Sequence, residues 1–392
     1  MRKKVLFTII NMNVGGTEKS LLNMVSVMPK DKYDITILML EEYGGFLKFI
    51  PSNIRLEFLS GYNNIKDLLN EPPQSIALNL LKKGRIIKGG TILLLHIITK
   101  ILNNRSAFFK YVLRTYPTLE QEYDVAVAYA GPTDFISYLV MNKIKAKKKI
   151  QWVHFDVTKI GFNKNFAAQI YNKFDKVFVG SNEGRDKLVN LLPAIREKTE
   201  VFQYIVSPQL ISSQAKEGKG FNDNFDGLKI LTVGRLSIEK GQDLAIHVLA
   251  KLKNEGLNVK WYCVGEGNSR QTYEDLIEKY ELKEYFILLG SDPNPYPYMD
   301  QCDIYVQPSR HEGYCITLAE ARCFKKPIIT TNFTGANEQI KTGKTGLIVG
   351  PDVDEIYHAL RLLIHDRKLR EKFSDNLTKE EFISDVQVEK FI

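Results

Sequence analysis

Cysteine is scarce in this chain: Cys263, Cys302, Cys315 and Cys323 are the whole complement of its 392 residues, and no two stand in a C-x-x-C spacing. They read as reduced, small, buried residues of a cytosolic protein. Long apolar runs are missing too. The opening "MRKKVLFTIINMNVGG" sets Arg2, Lys3 and Lys4 before an apolar run in the manner of a signal peptide. That run is too short and ends in Asn11, Asn13 and a glycine pair, so it is expected to be a buried first strand.

Acidic residues are absent from Pro72 to Pro117, where Lys82, Lys83, Arg85, Lys88, Lys100, Arg105, Lys110 and Arg114 are interleaved with "ALNLL", "GGTILLLHIITKIL" and "AFFKYVL". These stretches are too short and too often interrupted to span a bilayer. Basic residues beside Leu, Ile and Phe on helices suit an interfacial helix on anionic lipid; a helical hairpin capping the N-terminal sheet fits equally well. The run "NKIKAKKKIQ", with five lysines from Lys143 to Lys149, either extends such a membrane surface or is a solvated loop before a strand. No aromatic stacking pattern accompanies the cations, which favours lipid over nucleic acid.

What is present is α/β grammar. Continuous apolar runs ("VLFTII", "DITILML", "IRLEFL", "DVAVAYA", "KKIQWVHF", "KVFVGS") alternate with polar amphipathic stretches, and the pattern restarts with "LKILTVG", "VKWYCVG", "YFILLG", "DIYVQPS", "KPIITT" and "TGLIVG". Runs without period-two alternation are what parallel strands covered on both faces look like. The length suits two domains. The expectation is two doubly wound, Rossmann-like units: residues 1–207 with the insertion 72–117, a Gly-, Ser- and Lys-rich linker over 208–227, and 228–392. Charge divides with them. Residues 1–210 hold 30 Lys and Arg against 18 Asp and Glu, and the remainder 24 against 28, so the first half is the one suited to an anionic surface or ligand.

The chemistry-bearing groups fall where strands end. Gly15 and Gly16 in "VGGTEKSLLN" form a turn that opens a helix, where bare N–H groups face any anion above the strand ends. In "VGRLSIEKG", Arg235 and Lys240 flank a second such loop, a planar fork and a point charge suited to a pyrophosphate. His154 ends "QWVH". Gly265, Glu266 and Gly267 follow another strand, but Arg270 stands where a dinucleotide fingerprint needs its third glycine, which argues against a dehydrogenase. In "SRHEGYCITLAEA" Glu312 and Glu320 lie eight positions apart. A single helix would bring both to one face; a break at Gly313 and Tyr314 would bring them into one cavity from different elements. Asp352 and Asp354 in "GPDVDEI" make a D-x-D, which reads as a helix cap rather than a metal site.

Together "GRLSIEKG" and, some seventy residues on, "PSRHEGYCITLAEA" resemble the paired signature of retaining GT-B glycosyltransferases of glycosyltransferase family 4, and "GGTEKSLLN" and "WVH" extend the resemblance over nearly the whole chain. The resemblance implies the break: Glu312 on a loop contacting the donor sugar, Glu320 on the next helix binding the nucleotide ribose, and the backbone of Gly313, Tyr314, Cys315 and Ile316 meeting sugar and phosphates. It implies that Arg235 and Lys240 neutralise the leaving pyrophosphate, that Gly15 and Gly16 contact it from the other domain across a cleft, that Gly265 and Glu266 line the donor site, and that His154 lies near the reacting sugar. No side chain is an obvious nucleophile, so front-face attack with retention is expected, without a metal or other cofactor. The partners implied are a nucleotide sugar, most commonly UDP-linked, and a lipid-linked or polysaccharide acceptor of a capsule, exopolysaccharide or similar glycan, with the protein cytoplasmic and peripheral on the inner face of the membrane. A soluble or protein acceptor stays open if the insertion does not dock. A catalytically silent GT-B subunit that only binds acceptor, and a GT-B sugar-nucleotide epimerase, are the alternatives.

Overall fold

Each of the twelve apolar runs becomes a strand, and the ladders between them are parallel. The computed structural model describes residues 2–380 and 390–391. The described residues divide into two units, one of residues 2–13, 25–202 and 391, the other of residues 14–24, 203–380 and 390.

The first unit holds a seven-stranded sheet of β1 (Lys3–Ile9), β2 (Tyr33–Met39), β3 (Arg55–Phe58), β4 (Glu122–Ala128), β5 (Lys145–Val153), β6 (Lys176–Val179) and β7 (Thr199–Val201) in the order β3-β2-β1-β4-β5-β6-β7. The last five residues of β1 are buried without alternation, as a strand covered on both faces requires. Only β7 escaped the sequence reading; three residues are too few to form a run. Trp152 centres an aromatic cluster, its ring 4.8 Å from Tyr129, 5.3 Å from Phe178 and 4.6 Å from Phe202. Phe391 joins the same cluster, 5.8 Å from Phe7 and 5.4 Å from Phe202.

The insertion is a helical hairpin: Pro73–Lys82 packs on Ile86–Leu102, followed by Ser106–Val112. Among the described residues no helix is long and apolar enough to cross a membrane. The lysine run 143–149 is corrected: it is not a loop but the end of one helix and the start of β5. Its cations are bound locally, Lys147 to Asp124 at 2.7 Å, Lys149 to the Met141 carbonyl at 2.7 Å and Lys143 to the Tyr116 carbonyl. Strand β4 supplies the acid and these lysines serve the sheet.

The second unit holds β8 (Leu228–Val233), β9 (Val259–Val264), β10 (Phe286–Gly290), β11 (Ile304–Gln307), β12 (Ile328–Thr331) and β13 (Leu347–Val349) in the order β10-β9-β8-β11-β12-β13. Both sheets reverse strand order beside their first strand, the switch point at which doubly wound sheets bind ligands. The expected linker is also corrected. The unit begins at Gln203, and 208–217 are the helix Pro208–Glu217, with Ser207 accepting from the Leu210 N–H at 3.3 Å. Ser followed by Pro is a helix start that the polar composition concealed. Ile211 is buried with Leu231 and Tyr296, and Phe221 lies 4.3 Å from Tyr262, so the segment is anchored to the second core.

Phe391 is 1% exposed, so truncating it leaves a cavity. Phe391→Ala should destabilise the first unit by about 3–5 kcal/mol. With Trp261 replaced by Phe, Trp152 remains as the sole tryptophan, and urea titration by its fluorescence reads the change; a shift under 1 kcal/mol would remove Phe391 from the cluster.

Candidate functional site

Strand β11 ends at Gln307, Pro308 stops the ladder, and the chain runs through Ser309 to Cys315 before the helix Ile316–Cys323 begins. Glu312 therefore sits on a loop and Glu320 on a helix. Cys315 turns the chain into that helix with φ 67° and ψ 84°, a left-handed conformation uncommon for a residue with a Cβ and typical of functional loops. The turn is held from behind. Gln339 Nε2 donates to the Tyr314 carbonyl and, at 3.4 Å, to that of Cys315; Thr331 Oγ1 donates to the Ser309 carbonyl. The Tyr314 ring packs 5.1 Å from Tyr204. Burial and the nearby Glu312 push the Cys315 thiol up to about 12, so it carries no thiolate near neutral pH.

The loop after β8 faces this one. Lys240 Nζ donates to Glu312 Oε1 at 2.6 Å, and Ser309 Oγ donates to the same oxygen at 2.8 Å. Burial alone would lower the Lys240 pKa; Glu312 outweighs it and holds the ammonium above its ordinary value. Arg310 forks onto Asp243 with contacts of 2.8 and 2.5 Å and donates to the Ile238 carbonyl at 2.7 Å. Arg235 is exposed, and its carbonyl accepts from Gln242 Nε2 at 2.9 Å. Gly265 comes so close to this loop that an added Cβ would sit 1.9 Å from the Gly234 carbonyl oxygen. Glu266 is exposed and paired with Arg270 at 3.0 Å.

Residues 14–24 belong to this second unit by their contacts. The helix Gly16–Val27 starts directly after Gly15, and a Cβ on Gly16 would lie 3.4 Å from Ile316 Cγ2, so two helix N-termini meet. Their partial positive charges favour an anion there. Glu320 is buried and accepts from the Tyr296 hydroxyl at 2.9 Å. Burial raises its pKa, against which Lys19, Tyr296 and Asn23 act. The Lys19 ammonium lies 4.7 Å over the Tyr296 ring, its pKa lowered by burial and supported by Glu320. Burial pushes the Glu18 carboxyl up to about 7, opposed by the Glu18 amide and by Arg235.

His154 lies in the first unit. It is buried, nearly parallel to the Trp152 ring at 5.7 Å, and its Nε2 is 2.6 Å from the Tyr129 carbonyl, to which only a protonated nitrogen donates. Burial lowers its pKa to about 3, so the ring is neutral at working pH. Beyond the ends of β1 and β2, a cavity of about 550 Å³ is lined by Tyr62, Arg105, Phe109 and Asp134, with Glu41 and Lys66 paired at 2.9 Å. Burial raises the Asp134 carboxyl to about 7, against Arg105.

Asp352 caps the helix Val353–His365, accepting from the Asp354 and Glu355 N–H groups at 2.8 and 3.1 Å. Among the described residues no cluster of His, Cys, Asp or Glu is arranged to hold a metal. Sequence reasoning missed Glu18, Lys19, Asp243, Tyr296, Arg310 and Gln339. The first two come two and three positions after Gly16 and Arg310 two positions before Glu312, so position was a usable signal; Tyr296 and Gln339 carry none.

Residues 214–380 match the family model described as glycosyl transferases group 1. The chain is 30% identical over 215 residues to the N-acetylgalactosamine-N,N'-diacetylbacillosaminyl-diphospho-undecaprenol 4-alpha-N-acetylgalactosaminyltransferase of Campylobacter jejuni, covering 54% of this chain and 57% of that protein. It is 31% identical over 173 residues to the capsular polysaccharide biosynthesis glycosyltransferase CapM of Staphylococcus aureus, covering 42% and 43%. The matches thus span about half the length of these relatives. Anabaena HepE, solved with UDP and glucose, has a similar structure, with TM-score 0.70 and 17% identity over 100% of this chain and 96% of that one.

Glu18 ties stability to pH. Its ordinary value is 4.5 and its folded value about 7, so between them the folded state binds the extra proton and stability falls as pH rises. Glu18→Gln removes the group. The melting temperature measured from pH 5 to 8 should fall less steeply in the variant, which becomes the more stable protein above pH 7; an unchanged slope would mean the carboxyl is solvated.

Proposed function

The chain has a GT-B fold whose residues 214–380 belong to the glycosyl transferases group 1, and from that premise we propose that it moves a hexosyl residue from a nucleotide sugar to an acceptor in cell-surface glycan synthesis. The observation that carries this reading is Glu312 clamped by Lys240 at 2.6 Å on a loop that leads, eight positions on, to the buried Glu320 on the following helix. A carboxylate accepts from vicinal hydroxyls. In the proposal Glu320 takes the nucleotide ribose, and Glu312 and the backbone of Gly313 to Ile316 take the donor sugar. Gly15, Gly16 and the helix start at Ile316 take the phosphates, with Gly265 and Glu266 beside them.

Transfer breaks the bond between the anomeric carbon and the diphosphate. Negative charge grows on the leaving group, and Arg235 and Lys240 stabilise it without a metal. The acceptor hydroxyl attacks from the same face and passes its proton to the departing phosphate, which gives retention. His154, neutral by burial, enters as a hydrogen-bonding group near the sugar rather than as an acid. The HepE complex with UDP and glucose supports a UDP-linked hexose; the diphospho-undecaprenol in the Campylobacter relative's name and the capsule role in CapM's name support a lipid-linked or polysaccharide acceptor. In the proposal that acceptor is reached from the cytoplasmic face of the membrane.

Thermal stabilisation by a panel of nucleoside diphosphates and their sugars tests the donor site, since a ligand of the folded state raises the melting temperature by mass action. UDP and a UDP-hexose should stabilise the wild type, and Glu320→Ala should lose most of the shift. No stabilisation by any nucleotide would favour an acceptor-binding, catalytically silent subunit. Arg235→Ala, on an exposed side chain, should keep the melting temperature yet slow transfer by about 10²–10³; wild-type turnover would remove Arg235 from the leaving-group site, and the product's anomeric configuration by NMR reads retention directly.

A further inference from the structure

The hairpin helix Ile86–Leu102 buries one face and leaves the other bare. Gly89 and Ile92 pack against the helix Pro73–Lys82. Ile86, Gly90, Leu94, Ile97 and Ile101 follow at steps of four, four, three and four, which places them on a single stripe with Ile87 beside it. The five aliphatic side chains of that stripe are between 53% and 86% exposed. A continuous bare stripe of this kind marks an interaction face.

Charge selects its partner. Lys82, Lys83, Arg85 and Lys88 crowd one end of the helix and Lys100 the other, all exposed, and no acid occurs from residue 72 to 117. A second copy of the chain docked through the same face would set cations against cations with no local acid to pair them. The stripe also lacks the aromatic anchors of protein hot spots. Aliphatic side chains with no demand for shape, bordered by cations, fit the headgroup boundary of a bilayer.

We propose that this stripe is a membrane-docking face: the helix lies in the plane of an anionic bilayer, with Ile86, Ile87, Leu94, Ile97 and Ile101 below the headgroups and the cations at the lipid phosphates. The same hairpin runs on to Arg105 and Phe109, which line the 550 Å³ cavity, so docking holds a wall of that cavity at headgroup level. A membrane-borne acceptor is thereby presented to the first unit. The proposed acceptor supplies the purpose of the docking; its physical basis is the stripe and its cations.

Flotation of the full chain with phosphatidylcholine vesicles, with and without phosphatidylglycerol, tests it. The wild type should float with the anionic vesicles, and the triple variant Ile87→Ser, Leu94→Ser, Ile101→Ser should bind them about tenfold more weakly or worse. Leu94→Trp should show blue-shifted tryptophan emission on the same vesicles. A wild type that ignores both vesicle types, or a triple variant that binds as well as the wild type, overturns the proposal. So does concentration-dependent self-association in sedimentation that the triple variant abolishes, which would assign the stripe to a second copy. The melting-temperature rise with UDP, measured on both proteins, keeps the two readings apart. Its absence with vesicle binding intact removes the donor site and leaves the docking face.

Discussion

The Lys240–Glu312 ion pair is the contact on which the geometry of the candidate site depends. Neither charge is fully solvated, and a carboxylate removed from water needs its cation or pays several kcal/mol. The pair fastens the loop after β11 to the loop after β8, and the fork of Arg310 on Asp243 fastens it a second time, two residues earlier. Two charge-assisted contacts so close in sequence leave the intervening backbone little freedom. Preorganisation of this kind lets a site stabilise developing charge without reorganising at the moment of reaction.

The strained turn at Cys315 follows from that anchoring. In one continuous helix Glu312 and Glu320 would stand about 12 Å apart along a single face. Here the chain must leave the strand, deliver Glu312 to Lys240, and still begin a helix that buries Leu318 and carries Glu320 to Tyr296. Cys315 absorbs the change of direction in a left-handed conformation, and Gln339 and Thr331 satisfy carbonyls that the turn would otherwise bury unpaired.

The sheets were legible in the sequence because both faces of each are covered, so burial writes itself as an uninterrupted apolar run. The start of the helix Pro208–Glu217 was not, since Ser207, Pro208 and a polar face resemble a linker until the single buried Ile211 is placed. The site divided in the same manner. Charged residues in the loops that follow strands, Arg235, Lys240 and Glu312, stood out. Tyr296 and Gln339 act through what they touch across folded distance, and sequence carries no mark of that. Lys19 falls between: it comes three positions after Gly16, but its partner Glu320 is some three hundred positions away.

The two lysine-rich segments of the first half show why charge has to be read with its neighbours. Residues 143–149 run beside β4, whose Asp124 takes Lys147, while the carbonyls of Met141 and Tyr116 take Lys149 and Lys143. Residues 72–117 contain no acid, and the cations of the two packed helices and their turn, Lys82, Lys83, Arg85, Lys88 and Lys100, stay in solvent. Gly89 determines the rest. An added Cβ there would meet Leu81 Cγ at 2.8 Å and the Ala77 carbonyl oxygen at 3.0 Å, so only glycine lets the two hairpin helices come this close. A helix apolar around most of its circumference can bury one face in such a contact and no more. The stripe from Ile86 to Ile101 is what that close packing leaves outside, and the cations at its two ends decide which surface can cover it.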